Sequence, residues 1–228
     1  MIEYLPWDSS FFNFKTGMSV INEAGDVDLI RENFNKSDYQ LLYLFDYNAN
    51  NLIVQLLKKS KILLIDTKVT YSKSNLSHTS NNKGTLIDEL SDELIDLGLQ
   101  SGIYSRFYRD ERLQKFFKPM YTRWVEKSLS GEMADAVIGI YNDTQLCGML
   151  TIKAADDKAQ IGLIAVDSRY RGVGIGKQLL QAAENWCIDN QIAELNIATQ
   201  LINVEACNFY KKNKFNLTNS VHIFHLWK

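Results

Sequence analysis

The stretch VDSRYRGVGIGKQLL, residues 166–180, sets Arg171, Gly172, Gly174 and Gly176 just ahead of an apolar run with helical spacing. Successive unpaired backbone N–H groups at a helix start form a positive concavity suited to an anion. Absent side chains let a diphosphate approach the main chain closely, and the helix dipole adds about 0.3–1 kcal/mol at an exposed site. Two other phosphate patterns fail. A dinucleotide fingerprint needs GxGxxG, but Lys177 stands three beyond Gly174. A Walker loop needs GxxxxGKS or GxxxxGKT, but Arg171 stands five before Gly176, and Gln178 follows Lys177. What fits is R-x-x-G-x-G, carried by Arg171, Gly174 and Gly176; the alternative is a tight turn with no ligand.

Other residues invite weaker readings. Arg106, Arg109 and Arg112 fall three apart, and guanidinium forks at helical spacing suit the diphosphate of a sugar nucleotide. Asp110 and Glu111 beside them offer exposed ion pairs instead. Trp7, Phe11 and Phe12 suit stacking on a base, or the core of a small α/β unit. Cys207 lies three before Tyr210, with no His or Lys placed in sequence to activate it, so a small core residue is the better reading than a nucleophile. His222 and His225, three apart on a strand, point to opposite faces and cannot both line one site. No carboxylate stands out as a base for an acceptor amine.

These residues need elements to hold them. FKTGMSVI, LLYLF and KILLIDTKVTY read as strands, and VDLIRENF and NNLIVQLLKK as helices, a mixed α and β first unit. The polar run SKSNLSHTSNNKG, residues 72–84, reads as a loop between units and predicts domains at 1–82 and 83–228. SDELIDLGLQSG and RLQKFFKPMYTRWVEKSL follow as helices, the second expected to kink or split at Pro119. ADAVIGIYN, QLCGMLTIKA and AQIGLIAV then form an antiparallel meander with turns at NDT and ADDK. Ile175, Leu179, Leu180, Ala183, Cys187 and Ile188 make one apolar helical stripe after the glycines. The strand AELNIAT, a helix from Asn203 to Lys212 and the strand SVHIFHLW complete the order β-β-β-α-β-α-β. That order predicts an α/β (α+β) fold with a mixed, mostly antiparallel sheet flanked by helices.

Bulk composition narrows the function classes. The 228 residues are 46% hydrophobic with only two prolines, which suits a folded globular chain. A formal charge of -2 gives no broad attraction to nucleic acid or an anionic membrane. The start MIEYLPWDSS has no basic n-region with an apolar core behind it, so a cytoplasmic, unprocessed protein is expected. Cys147, Cys187 and Cys207 are odd in number and far apart, and neither they nor the three histidines have metal-ligand spacing. No metal is expected.

AQIGLIAVDSRYRGVGIGKQLL resembles the acetyl-coenzyme-A motif of the GCN5-related N-acetyltransferases, the GNAT superfamily, and TQLINVEACNFYKKNKF resembles that family's downstream pattern at Asn203, Ala206 and Tyr210. LPWDSSFFNFKTG, SRFYRDERL, WVEKSLSG and the terminal FHLW resemble the dTDP-fucosamine acetyltransferase group, which carries an extra N-terminal α/β unit and acetylates the 4-amino group of a dTDP-linked dideoxysugar. The resemblance implies acetyl-CoA as co-substrate and a small-molecule amine acceptor, most plausibly a nucleotide-linked amino sugar, with direct transfer in a ternary complex. It implies that backbone from Arg171 through Gly172, Val173, Gly174, Ile175 and Gly176 to Lys177 holds the pyrophosphate. By the same analogy Ile164, Ala165 and Val166 run beside the pantetheine, Asn203 places an amide near it, and Tyr210 is the general acid. Trp7, Phe11, Arg106 and Arg109 then fall to the acceptor. The resemblance also implies pairing of protomers as a homodimer. One departure is visible: the family's helix-ending glycine is Lys214 here, and Asn213, which tolerates a left-handed conformation, is expected to adopt it instead. Other readings keep the chemistry on a protein N-terminus, a polyamine or an antibiotic amine, or make the chain a non-catalytic acetyl-CoA sensor.

Overall fold

The computed structural model of the chain describes residues 1–60, 62–78 and 84–228. The expected domain boundary at 82/83 lies outside the described residues. In chain order the elements are β1 (Glu3–Tyr4), α1 (Pro6–Phe12), β2 (Thr16–Val20), α2 (Asp26–Lys36), β3 (Leu41–Asp46), α3 (Asn51–Lys59), β4 (Leu64–Lys73), β5 (Thr85–Leu86), α4 (Asp92–Ser101), α5 (Arg106–Arg109), α6 (Gln114–Leu129), β6 (Ala136–Asn142), β7 (Gln145–Ala155), β8 (Lys158–Val166), α7 (Ile175–Asp189), β9 (Glu194–Gln200), α8 (Val204–Lys212) and β10 (Asn216–Trp227). A 3-10 turn at Ser168–Tyr170 lies between β8 and α7. The chain divides into two compact units: residues 1–69 with 200–202 and 219–228, and residues 70–199 with 203–218.

In the first unit β2 pairs in parallel with β3 from Thr16↔Leu41 to Val20↔Phe45, so α2 is the crossover that parallel neighbours require. β10 pairs antiparallel with the other edge of β3, and β1 closes on β2. Val27, Ile30 and Phe34 recur at helical spacing on α2, as Ile53 and Leu57 do on α3, and they meet Leu42, Leu44 and Phe224 in one core.

The second unit is built on the antiparallel meander β6-β7-β8, with Asp143 and Asp156 taking left-handed φ of 51° and 55° in its two turns. β9 then pairs in parallel with β8, with α7 as the crossover, which matches the mixed, mostly antiparallel sheet expected from sequence. Gly148 faces α7, where an added Cβ would sit 2.9 Å from Ile175 and 3.1 Å from Leu179. Its neighbour Met149 reaches α4 at Gly98. Successive strand residues face opposite ways, so α7 and α4 cover opposite faces of this sheet. No helix of the described residues is long and apolar enough to cross a membrane.

Two expectations are corrected. α6 is not split in two at Pro119 but continues through it as one helix. The lost bond would have gone to the carbonyl of Lys115, and both residues are exposed, so this turn is open to solvent. At the end of α8 the left-handed residue is Lys214 (φ 66°), while Asn213 keeps φ -91°. The hydrogen bonds decide this: Phe215 N–H donates to Tyr210 O and Lys214 N–H to Lys211 O, a Schellman closure whose left-handed position falls at 214 whatever residue stands there. Lysine in place of glycine costs roughly 1 kcal/mol.

Close approach of α7 to β7 depends on the missing side chain at Gly148. Gly148→Ala is expected to cost about 1–3 kcal/mol, read as a fall in Tm; an unchanged Tm would mean that α7 can ride outward freely.

Candidate active site

The site begins with a fault in the sheet. Pairing of β8 with β7 slips between Leu150 and Ile152, so that Gly162 and Leu163 oppose Thr151 alone. The hydroxyl of buried Thr151 accepts the Leu163 N–H at 2.9 Å, so the bulge leaves that amide satisfied. On its other side β8 pairs with β9 only from Lys158↔Glu194 to Ile161↔Ile197. Beyond that the strands part. The main chain of Ile164, Ala165 and Val166 is therefore held by β7 on one edge and open on the other.

The turn after β8 is fastened by Asp167. Its carboxylate accepts the Arg169 N–H at 2.8 Å and the Arg169 guanidinium at 3.0 and 2.7 Å, and its own N–H donates to Cys147 O. Those side-chain and backbone bonds from Arg169 lower the pKa of the carboxyl from its ordinary value. Arg171 then donates from Nε to Val166 O at 3.1 Å and from Nη2 to the Gln100 side chain at 3.2 Å, which ties the end of β8 to α4.

The glycines serve two ends. Gly172 and Gly174 take φ of 80° and 96° with open space where a Cβ would stand, so they are there for backbone conformation. Gly176 is there for contact: its Cβ would lie 3.1 Å from the Phe209 ring. Gly174 is the N-cap of α7 and has no side chain to give, so the first amides of α7 carry no side-chain cap. Uncapped donors at the positive end of a fifteen-residue helix form the concavity that an anion takes.

α8 starts on Asn203, whose Oδ1 accepts the Ala206 N–H at 3.2 Å. About two turns of this helix bring Tyr210 inward, 4% exposed, with its ring centroid 5.7 Å from Tyr71 and 5.5 Å from Phe209. Burial first, then the Cys207 thiol, push the Tyr210 phenol up, so it keeps its proton at neutral pH. Tyr71, hydrogen-bonded to Cys207, is pushed up to about 12, chiefly by burial. Cys207 is itself buried.

A cavity of about 310 Å3 joins these parts. Of the residues expected from sequence, Ile164, Ala165, Val166, Arg171, Gly172, Gly176, Asn203 and Tyr210 line it. Val173 is exposed at the tip of the loop, Gly174 caps α7, and Ile175 turns its side chain to Gly148. Lys177 lines a different concavity. Arg106 and Arg109 lie on α5 and outside the cavity lining; α5 ends at Arg109, so Arg112 is not on that helix. Trp7 and Phe11 stack at 5.0 Å within the first unit. His222 stands 3.5 Å from the buried Asp46 carboxylate, and the His225 ring lies 4.9 Å from that of Tyr43, both in the first unit. Sequence reasoning missed Gln100, Ser101, Ile103 and Tyr104, which the end of α4 brings to the cavity. No motif marks them; only the packing of α4 on β8 does.

An open strand edge, an uncapped helix start and a protonated phenol on one cavity make the surface that an acyl thioester on a diphosphate carrier would need. Residues 101–215 match the Acetyltransferase (GNAT) family. Streptothricin acetyltransferase A of Bacillus subtilis (strain 168) is 32% identical over 118 residues, which cover 51% of this chain and 67% of that protein. The streptothricin acetyltransferase of Escherichia coli is 34% identical over 83 residues, 36% of this chain and 48% of its own length. A functionally unknown conserved protein of Staphylococcus epidermidis ATCC 12228 shares the fold with a TM-score of 0.64 at 14% identity, covering 99% of this chain and 90% of that one. The chain belongs to the GNAT acetyltransferase family and is an acetyl-CoA-dependent N-acetyltransferase. Both acetyltransferases are named for streptothricin, where the sequence resemblance pointed to a dTDP-linked amino sugar. Among the described residues no group of three or more His, Cys, Asp or Glu is set to hold a metal ion.

Because the folded pKa of Asp167 is depressed, its contribution to stability is complete above the ordinary carboxylate range and is lost as pH falls through the folded value. Asp167→Asn is therefore expected to lower Tm at pH 7 by a margin that shrinks below about pH 4. A margin independent of pH would show that the bonds to Arg169 do not fasten the turn.

Proposed function

We propose that the 310 Å3 cavity receives the thioester arm of acetyl-CoA and that Tyr210 is the general acid. The observation that carries this is the meeting of Tyr210 with the open edge of Ile164 to Val166 on one cavity. Acetyl-CoA brings a thioester carbonyl open to attack by an amine and a sulfur that leaves as thiolate. The backbone from Arg171 to Lys177 holds the diphosphate through the uncapped amides of α7. Main-chain groups of Ile164 to Val166 bind the pantetheine as an added strand would, and an amide there steadies the carbonyl oxygen. Asn203 uses its Oδ1 to cap α8, which leaves its NH2 and one oxygen lone pair for the arm. Tyr210 holds a proton at Oη for the departing sulfur, and its hydroxyl makes no hydrogen bond among the described residues that would compete for it.

The acceptor is the amine of a small molecule. An antibiotic amine of the streptothricin type is supported by the two relatives of that name. The family match begins at residue 101 and leaves the α/β part of the first unit, with its stacked Trp7 and Phe11, outside it. That surplus unit supports a second reading, a nucleotide-linked amino sugar as the acceptor, since a stacked aromatic pair suits a base.

Tyr210→Phe is expected to lower kcat by about 10²–10⁴ with little change in acetyl-CoA affinity. An unaltered kcat removes Tyr210 from the mechanism. Release of free thiol from acetyl-CoA, followed with streptothricin and with dTDP-amino sugars in parallel, separates the two acceptor readings. Saturable binding of coenzyme with no turnover on any amine would favour a sensor.

A further inference from the structure

Beside the coenzyme cavity, and within the same unit, lies a concavity of about 680 Å3 whose charged lining is Lys73, Lys177, Lys212, Lys214 and Glu184. A smaller one of about 410 Å3 shares Lys73 and Lys214 with it. Lys73 and Glu184 neutralise each other in a buried pair at 2.6 Å. Lys177, Lys212 and Lys214 are exposed and make no ion pair among the described residues. Three lysines without an ion pair among the described residues thus line one hollow in a chain whose formal charge is -2.

Lys214 makes the convergence harder to ascribe to chance. It stands at the left-handed position of the Schellman closure, φ 66°, where glycine would serve without strain. A long side chain kept at a disfavoured φ points to a use for that side chain, and here the residue lines both hollows.

Position names the ligand. Lys177 directly follows Gly176, which lines the coenzyme cavity and touches Phe209 of α8. Lys212 stands three residues beyond Phe209, one turn along the same helix. The two hollows therefore share the first turn of α7 and the body of α8 as walls. Compact ammonium charges on flexible stems suit a phosphate dianion. We propose that this concavity binds a phosphate monoester, namely the 3′-phosphate on the ribose of the coenzyme. The inference rests on the coenzyme reading above. A diphosphate at the start of α7 sits on the same ribose as the 3′-phosphate and delivers it to the Lys177 side.

Calorimetric titration with acetyl-CoA and with 3′-dephospho-acetyl-CoA tests this, on the wild type and on the double variant Lys212→Gln/Lys214→Gly. Glycine suits the backbone at 214, so the variant should fold, with a Tm at or above that of the wild type. Loss of the 3′-phosphate is expected to weaken wild-type binding about tenfold, the sum expected of a few partly exposed ion pairs. The double variant should bind acetyl-CoA more weakly by a similar factor and lose nothing further with the dephospho form. Equal wild-type affinity for the two forms overturns the proposal, as does an undiminished difference in the variant. Wild-type stabilisation by inorganic phosphate that the variant lacks, together with coenzyme binding indifferent to the 3′-phosphate, assigns the hollow to another phosphorylated molecule and overturns it too. Binding of neither coenzyme form overturns the coenzyme reading itself.

Discussion

Everything at the site follows from the parting of β8 and β9 after Ile161 and Ile197. A strand that loses its neighbour must find other partners for its backbone groups or leave them to solvent and ligand. Here the loss is confined to a few residues. Thr151 settles the bulge at Leu163, and the Arg171 guanidinium takes the Val166 carbonyl at the far end. Between those points the main chain is rigid yet open on one edge, a surface that another extended chain can join. α7 can follow as a parallel crossover because β8 and β9 still pair below the split.

The electrostatic character of the site comes from backbone as much as from side chains. The start of α7 is uncapped because its N-cap is glycine, and the loop before it is fixed from behind by Asp167 and Arg169. Tyr210 is surrounded by rings and a thiol, and this poverty of charged neighbours keeps the phenol protonated. A tyrosine in water would hold its proton at neutral pH as well; burial raises this phenol further.

Much of this was legible in the residues, and the illegible parts share a cause. The glycine loop, α7 and α8 follow closely in sequence, so these elements could be read from spacing, while the roles of Asn203 and Tyr210 came only from family resemblance. The apolar stripes of α2 and α7 and the meander were legible for the same reason. Elements of two to seven residues, such as β1, β5, α1 and α5, are too short to show a period. Gln100, Ser101, Ile103 and Tyr104 reach the cavity by tertiary packing, which leaves no mark on local pattern. Lys214 shows a subtler limit: propensity favoured Asn213 for the left-handed φ, but the geometry of two hydrogen bonds fixes the position before the residue type is consulted. Pro119 is the converse, a strong breaker that an exposed turn of α6 accommodates without splitting the helix.

The first unit has its own consequence for biogenesis. β3 finds one of its two neighbours in β10, nearly the whole sequence later, through pairs such as Tyr43↔His225. During synthesis the emerging β3 therefore carries an unsatisfied edge, rich in leucine and aromatic residues, until the ribosome has made everything in between. Chaperone demand in the cell should track that waiting time, and a circularly permuted gene that brings the two strands close together in sequence would shorten it.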